Sequence, residues 1–180
     1  MKKIMFILLL AVGVSLNGFA QKGMCGVGAF ATLSIPANNS GHYTGKTTWA
    51  PGVKFQYWLS DHFRVEPAVA FFQSPSGDDY YPNSHFYMND FNARLAVHYV
   101  ITKTLLKPYI IGHLNYGKVA LLKDDRFGFG GGVGLDYRFT YNFAVQLELT
   151  ATMFNGNDRY EHSYSCPPFI TPSLGLTYNF

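Results

Sequence analysis

One stretch of the chain, Phe127 to Thr140, alternates between large apolar residues and small or polar residues at every second position. A period of two is typical of a β-strand whose two faces meet different surroundings. One face is apolar and largely aromatic, whereas the other carries four glycines, an aspartate, an arginine and a threonine. A barrel strand in a membrane turns the first kind of face to lipid and the second to a polar lumen. A soluble strand would bury the apolar face, so this stretch alone leaves both folds open.

The same alternation recurs along the chain in eight segments, each long enough to cross a bilayer when tilted, which takes about 9–11 residues. The predicted strands are Gly23–Ile35, Thr47–Ser60, Phe63–Gln73, His85–Val100, Lys107–Lys118, Phe127–Thr140, Phe143–Phe154 and Pro168–Phe180. The connections between them are alternately long and short, as in bacterial outer-membrane barrels with long outer loops and short periplasmic turns. The predicted fold is all-β: an eight-stranded antiparallel up-and-down transmembrane β-barrel.

Composition agrees with this fold without deciding it. The chain is 48% hydrophobic and only 14% charged, against about 25% charged in an average soluble domain. Beyond the N-terminus it contains no apolar run of about 20 residues, the length that a membrane-spanning helix needs. A soluble β-protein with a large core could share this composition. The positions of the charged residues favour the membrane barrel, because a soluble barrel would place apolar side chains inside.

The N-terminus has the pattern of a signal peptide. Lys2 and Lys3 are followed by an apolar core, and Gly18-Phe19-Ala20 precedes a predicted cleavage site before Gln21. The predicted domains are therefore a cleaved signal peptide, residues 1–20, and a barrel domain, residues 21–180. Cleavage lowers the basic count from 14 to 12 against 11 acidic residues. A mature charge near +1 gives no reason to expect a nucleic-acid partner.

Eight charged residues fall on the predicted inward faces, four of each sign. They are Lys54, Arg64, Arg94 and Arg138 with Glu66, Asp90, Asp136 and Glu148. An eight-stranded barrel is just wide enough to be filled by side chains, so the balance of charge favours a structural network of ion pairs. A selective ion path is the alternative interpretation. The glycines of Phe127–Thr140 are expected to leave lumen volume for Arg and Glu side chains.

Other residue patterns give weaker signals. Glu161, His162 and Ser163 are residue types of a hydrolase site, but neighbours on one loop rarely reach the required geometry, so no catalytic residue is predicted. No cofactor is predicted, and no group of residues has the spacing of a metal site. Cys25 and Cys166 are expected at opposite ends of the barrel, too far apart for a disulfide.

Two expectations concern prolines and aromatic residues. Pro51 is awkward inside a paired strand, and a bulge is expected there. Aromatic girdles are expected at both membrane interfaces. The periplasmic set is Tyr57, Phe63, Tyr99, Phe139, Phe143, Tyr178 and Phe180, and the outer set is Trp49, Phe71, Tyr87, Tyr116, Phe127 and Phe154.

The last strand carries a recognisable pattern. Its end, Ser173-Leu-Gly-Leu-Thr-Tyr-Asn-Phe180, resembles the C-terminal signal of outer-membrane barrels, and the chain resembles the small OmpA/OmpX-type, porin-like family. The glycine-rich stretch before Asn142, with Leu147 to Leu149, is similar to that family's sixth and seventh strands. The resemblance implies insertion by the barrel-assembly machinery, which reads a terminal strand marked here by Gly175, Tyr178 and Phe180.

The predicted function is a non-enzymatic integral protein of the outer membrane of a Gram-negative bacterium. Its polar lumen would be filled by side chains. Its role would be either structural or the presentation of surface loops for interaction or adhesion. A narrow passive pore and a lipid A-modifying enzyme are the alternatives. The expected partners are outer-membrane lipids, lipopolysaccharide, the assembly machinery and a surface partner of the long loops, with the chain itself a monomer.

Overall fold

The computed structural model describes residues 22–37, 44–72, 85–86, 88–119, 125–154 and 168–180. The predicted signal peptide, residues 1–20, lies outside these ranges. Eight long strands make up the barrel: β1 (Cys25–Pro36), β2 (Thr48–Trp58), β3 (Phe63–Phe72), β4 (Met88–Val100), β5 (Leu106–Val119), β6 (Asp125–Arg138), β7 (Phe143–Phe154) and β8 (Phe169–Asn179). A short parallel pair, Thr44–Gly45 with His85–Phe86, joins two of the long connections.

Each barrel strand pairs in antiparallel fashion with its neighbours in the chain, and β1 pairs with β8 to close the sheet. The closing register places Val27 opposite Tyr178 and Ala31 opposite Leu174. The predicted eight-stranded up-and-down barrel is therefore confirmed. Closure leaves no unpaired sheet edge, which is the condition for strands to lie in a bilayer. The described residues contain no helix that is long and apolar enough to cross a membrane.

Exposure alternates along the strands, as the sequence predicts. In β2 every residue on one face is buried and every residue on the other is exposed. The exposed face is apolar, with residues such as Val53 and Phe55, and the buried face includes Lys54 and Gln56. This arrangement is the reverse of a soluble barrel, and it fits an apolar exterior around a polar interior.

The strand bounds differ from the predicted ones by at most three residues, and β7 agrees at both ends. The largest difference is in β4, which begins at Met88 instead of His85. The prediction of a bulge at Pro51 is wrong, because the pairing of β1 with β2 keeps the same register on both sides of that residue. The described irregularity lies in β4, where the register with β5 shifts between Asn89 and Asn92.

That shift turns Asp90 out of the lumen. Asp90 has a φ of 60°, a left-handed conformation that Asp adopts more readily than most residues. Its side chain is 54% exposed and pairs with Lys118 at 3.0 Å. The prediction that Asp90 belongs to the lumen charges is wrong, because strict alternation does not continue through a bulge.

Aromatic rings form a band at the end with the short turns. Phe63 contacts Tyr99, Phe143 contacts Tyr178, and Tyr178 contacts Phe180, with ring centroids 5.2, 5.1 and 6.3 Å apart. At the opposite end Phe127, which is 71% exposed, lies 4.9 Å from the ring of Tyr116. These bands match the interfacial girdles of membrane barrels.

One member of the predicted outer girdle is placed differently. Phe154 points into the lumen and packs edge-on against Phe169, 5.9 Å away. It has the inward parity of Thr150 and Thr152 in β7, so the alternation itself was the better guide. Tyr87 lies outside the described residues.

Candidate functional site in the barrel lumen

The middle of the lumen is held by one arginine between two glutamates. Arg94 donates to Glu66 at 2.6 Å and to Glu148 at 2.8 Å. Lys54 approaches Glu66 at 3.6 Å, and Gln56 donates to the same carboxylate at 2.6 Å. Both glutamates are buried, so each negative charge is balanced by a cation and hydrogen bonds, as buried charges require.

A second ion pair continues this network towards the periplasmic end. Arg64 donates to Asp136 at 2.8 Å and to Nδ1 of His98 at 2.7 Å. Its guanidinium group lies 5.1 Å from the Trp58 ring and 4.9 Å from the Tyr109 ring. Arg64 is fully buried, a setting in which cation–π contacts contribute most.

Neutral polar residues connect the two ion-pair groups. Gln56 donates to Gln146 at 3.0 Å, and Gln146 in turn donates to Asp136 at 3.3 Å. Thr177 also donates to Gln146, at 3.1 Å, and Tyr109 donates to Glu148 at 3.0 Å. The sequence prediction named only charged residues and missed these members, although their inward parity was visible in the alternation.

The structure therefore brings six of the eight predicted lumen charges into one network. The members are Lys54, Arg64, Glu66, Arg94, Asp136 and Glu148. Arg138 lies in the lumen but makes no carboxylate ion pair among the described residues, and Asp90 lies outside. The sequence prediction also missed Lys107, a further buried cation on the inward face of β5.

Apolar side chains close the lumen on both sides of this network. Towards the outer loops, a cluster contains Ala50, Ala70, Phe72, Met88, Val119, Phe154 and Phe169. Towards the short turns, a second cluster contains Trp58, Ala96, Val100, Tyr109 and Ile111, with Met24 packed against it. A cavity of about 40 Å³, lined by residues including Arg94, Asn115 and Thr152, lies beside the outer cluster. It has room for roughly two or three waters.

Two glycines on the inward face of β6 make room for rings instead of charged side chains. A Cβ atom on Gly134 would collide with the ring of Tyr109, and one on Gly128 would lie 2.9 Å from Phe154. The expectation that these glycines leave volume for Arg and Glu is therefore wrong. The large inward residues of β5 and β7 need the space, because they lie directly beside β6.

Three buried side chains could in principle hold a metal ion. Ligand atoms of Glu66, His98 and Glu148 all lie within 4.8 Å of one another. Arg94 already bridges both carboxylates, and Lys54 adds another positive charge. A divalent cation would have to displace these partners and would be repelled by them. This arrangement favours an ion-pair network over a metal site.

The residues of the catalytic hypothesis, Glu161, His162 and Ser163, lie outside the described residues.

The predicted assembly residues fall at the closure of the barrel. Phe180 exchanges backbone hydrogen bonds with Cys25, at 2.8 and 3.1 Å, and its side chain is exposed at the aromatic band. Tyr178 also faces outwards, whereas Gly175 faces inwards. A Cβ atom added at Gly175 would lie 3.1 Å from Nζ of Lys54. Cys25 is at the periplasmic end, and Cys166 lies outside the described residues.

An apolar exterior with aromatic bands, around a filled polar lumen, defines the class of transmembrane β-barrels. Comparison with known families agrees: the model of the outer membrane protein beta-barrel domain matches residues 6–180. The chain belongs to this family and is an outer-membrane protein of the Gram-negative type. No curated protein matches it.

Solved structures show the same fold at low sequence identity. Neisserial surface protein A, NspA, has a TM-score of 0.63 and 19% identity, over 88% of this chain and 100% of that one. The N-terminal β-barrel domain of Pseudomonas aeruginosa OprF has a TM-score of 0.59 and 15% identity, over 90% and 100%. The attachment invasion locus protein Ail of Yersinia pestis has a TM-score of 0.55 and 12% identity, over 88% and 99%.

Proposed function

We propose that this protein is a non-enzymatic, non-conducting scaffold of the outer membrane that presents its long loops to partners at the cell surface. The observation that carries the proposal is the filling of the lumen. A charged network lies between two apolar clusters, and the cavity beside it has a volume of only about 40 Å³.

Ion passage would require large rearrangements of this interior. An ion moving along the axis would have to separate Arg94 from Glu66 or Glu148, and breaking one buried ion pair costs about 3–5 kcal/mol. It would also have to pass the apolar cluster around Phe72 and Phe154. A narrow pore is therefore less well supported than a closed scaffold.

Electrical recording tests the closed lumen. The purified protein, reconstituted in planar bilayers, is expected to give no stable unitary currents. A general porin reconstituted in the same way serves as the control for insertion. Reproducible step currents that depend on the folded protein would contradict the proposal and support the pore.

The loops are the proposed site of interaction. The connections 73–84 and 155–167 contain Tyr80, Tyr81, Tyr160 and Tyr164, and tyrosine is enriched in protein interfaces. These residues lie outside the described ranges. Ail is named for attachment and invasion, but at 12% identity the likeness concerns the fold, so surface binding by this chain is a proposal of its own.

A loop exchange would test this role. Replacing residues 155–167 by a Gly/Ser linker of equal length should abolish surface binding to host cells or matrix while leaving the barrel folded. The same replacement of residues 120–124, which contain no tyrosine, is the matched control. Equal binding by the wild-type protein and both replacement variants would contradict a role of residues 155–167 in surface binding.

The remaining partners are proposed on the same basis. The barrel acts as a monomer, contacts membrane lipids and lipopolysaccharide through its apolar wall, and is inserted by the assembly machinery through β8. The enzymatic alternative predicts a changed lipid A. Mass spectra of lipid A from cells with and without the protein are expected to be identical, and a protein-dependent mass change would favour the enzyme.

A further inference from the structure

The periplasmic end of the lumen has more positive than negative charge. From the middle of the lumen to its periplasmic end, the cations among the described residues are Lys54, Arg64, Arg94, Lys107 and Arg138, and the carboxylates are Glu66, Asp136 and Glu148. Lys54 and Arg94 balance the two glutamates, and Arg64 balances Asp136. Lys107 and Arg138 remain without a carboxylate of their own.

Both of these cations are buried. Lys107 is 3% exposed and Arg138 is 4% exposed. Lys107 has its ammonium group 5.4 Å from the Trp58 ring. Among the described residues, Arg138 donates only to the sulfur of Met24, at 3.5 Å, and its Nε and Nη1 have no hydrogen-bond partner there. Buried charges without a counter-charge are strongly unfavourable, so this end of the barrel is electrostatically incomplete.

The two side chains are neighbours on one wall of the lumen. Lys107 of β5 lies opposite Asp136 of β6, and Arg138 follows two residues later on the same face. The Asp136 carboxylate is already bound to Arg64, and its other oxygen has no hydrogen-bond partner within the described part of the chain. Asp61, the nearby rim carboxylate, pairs with Lys103 at 2.8 Å.

We propose that Lys107 and Arg138 bind a small inorganic anion at the periplasmic end of the lumen. An ion of the size of chloride would supply the missing counter-charge and accept hydrogen bonds from the unpartnered guanidinium nitrogens. The thioether of Met24 is a weak acceptor, which a charged acceptor replaces readily.

Met24 is the residue that covers this site. Gly23 has a φ of 81°, a conformation that glycine adopts without strain, and it turns the chain before β1. Backbone bonds between this segment and Trp58, at 2.8 and 3.0 Å, hold Met24 over the lumen. The unbranched side chain of Met24 has three rotatable bonds, so it can move to admit an ion while the backbone stays in place.

Thermal unfolding in detergent tests the site. The full protein is heated in sodium chloride and in sodium gluconate at equal ionic strength, so that general screening is the same. Chloride is expected to raise Tm saturably, by roughly 5–11 °C when it exceeds its Kd about 100-fold. Arg138→Met and Lys107→Met should remove this rise, whereas Lys103→Met, which deletes an exposed cation at the same end, should keep it.

A direct readout does not depend on stability. The chlorine NMR line should broaden with the wild-type protein and with Lys103→Met, and less with Arg138→Met. If Arg138→Met fails to fold, Lys107→Met provides the same comparison. Chloride effects of equal size in wild-type protein and both lumen variants, or no chloride effect in wild-type protein, would overturn the site.

Discussion

The charges of the lumen network form ion pairs whose members come from different strands. Arg94 on β4 meets Glu66 on the neighbouring strand β3 and, across the barrel, Glu148 on β7. A buried ion pair adds little stability compared with well-packed apolar residues of similar volume. Loss of one partner, however, leaves the other charge buried without compensation, which is strongly destabilising. The network therefore makes its members individually sensitive to substitution.

Glu148→Gln should destabilise the barrel. Glutamine keeps the shape and can still accept from Tyr109, but Arg94 loses one of its two counter-charges. We expect a loss of about 3 kcal/mol, seen as a fall in Tm of roughly 6–12 °C in detergent. Asp90→Asn is the matched control: its exposed pair with Lys118 should contribute less than about 1 kcal/mol. An unchanged Tm in Glu148→Gln would argue against the network.

Two glycines on opposite faces of the wall provide a second test. Gly134→Ala would push a methyl group into the Tyr109 ring, which is stacked on His98 at 4.9 Å and cannot shift freely. Overpacking of this kind costs about 1–3 kcal/mol. Gly112→Ala points to open space and should be neutral or slightly stabilising. Tm values for the two variants measure the difference, and equal values would mean that the lumen can expand.

At the scale of the element, β8 has two separable roles. It closes the barrel through its register with β1, and it carries the terminal aromatic residues that resemble an assembly signal. The closing hydrogen bonds of Phe180 come from its backbone, so its ring is free to serve recognition at the periplasmic rim.

Phe180→Ala separates these roles. It should lower the amount of folded protein in the outer membrane of cells several-fold, because the proposed recognition signal is lost. Refolding of the purified variant in detergent should be nearly unchanged, since the backbone pairing with Cys25 remains. Phe127→Ala removes another exposed ring, at the other interface, and should leave cellular levels normal. Equal losses for both variants would indicate a general effect of aromatic anchors.

At the scale of the whole molecule, closure makes the barrel one cooperative unit. No strand can leave without breaking two ladders of hydrogen bonds, and unpaired backbone groups are very costly in lipid. The outer-membrane fraction should therefore contain a form that resists SDS without heating and migrates differently after boiling. A single mobility, together with recovery of the protein from the soluble periplasm, would be incompatible with this fold.

Most of the fold follows from the sequence. Alternation in the eight segments predicted the strands within a few residues and the inward position of the six network charges. These features depend on local geometry: successive side chains of a strand point to opposite faces, and lipid and lumen select opposite residue types. The predicted aromatic bands follow from the same rule. The placement of Phe154 in the outer girdle was wrong because it ignored the alternation of β7, which turns this residue inwards.

Contacts across the barrel were decided by the tertiary structure alone. Arg64 and Asp136 are separated by 72 positions in the chain, and only the closed register determines which charges meet. The bulge that turns Asp90 outwards, the apolar clusters at each end, and the unpaired Lys107 and Arg138 arise in the same way. The sequence determines which face each residue occupies, because that choice is made one strand at a time. The partners inside the lumen depend on how all eight strands are staggered around the axis.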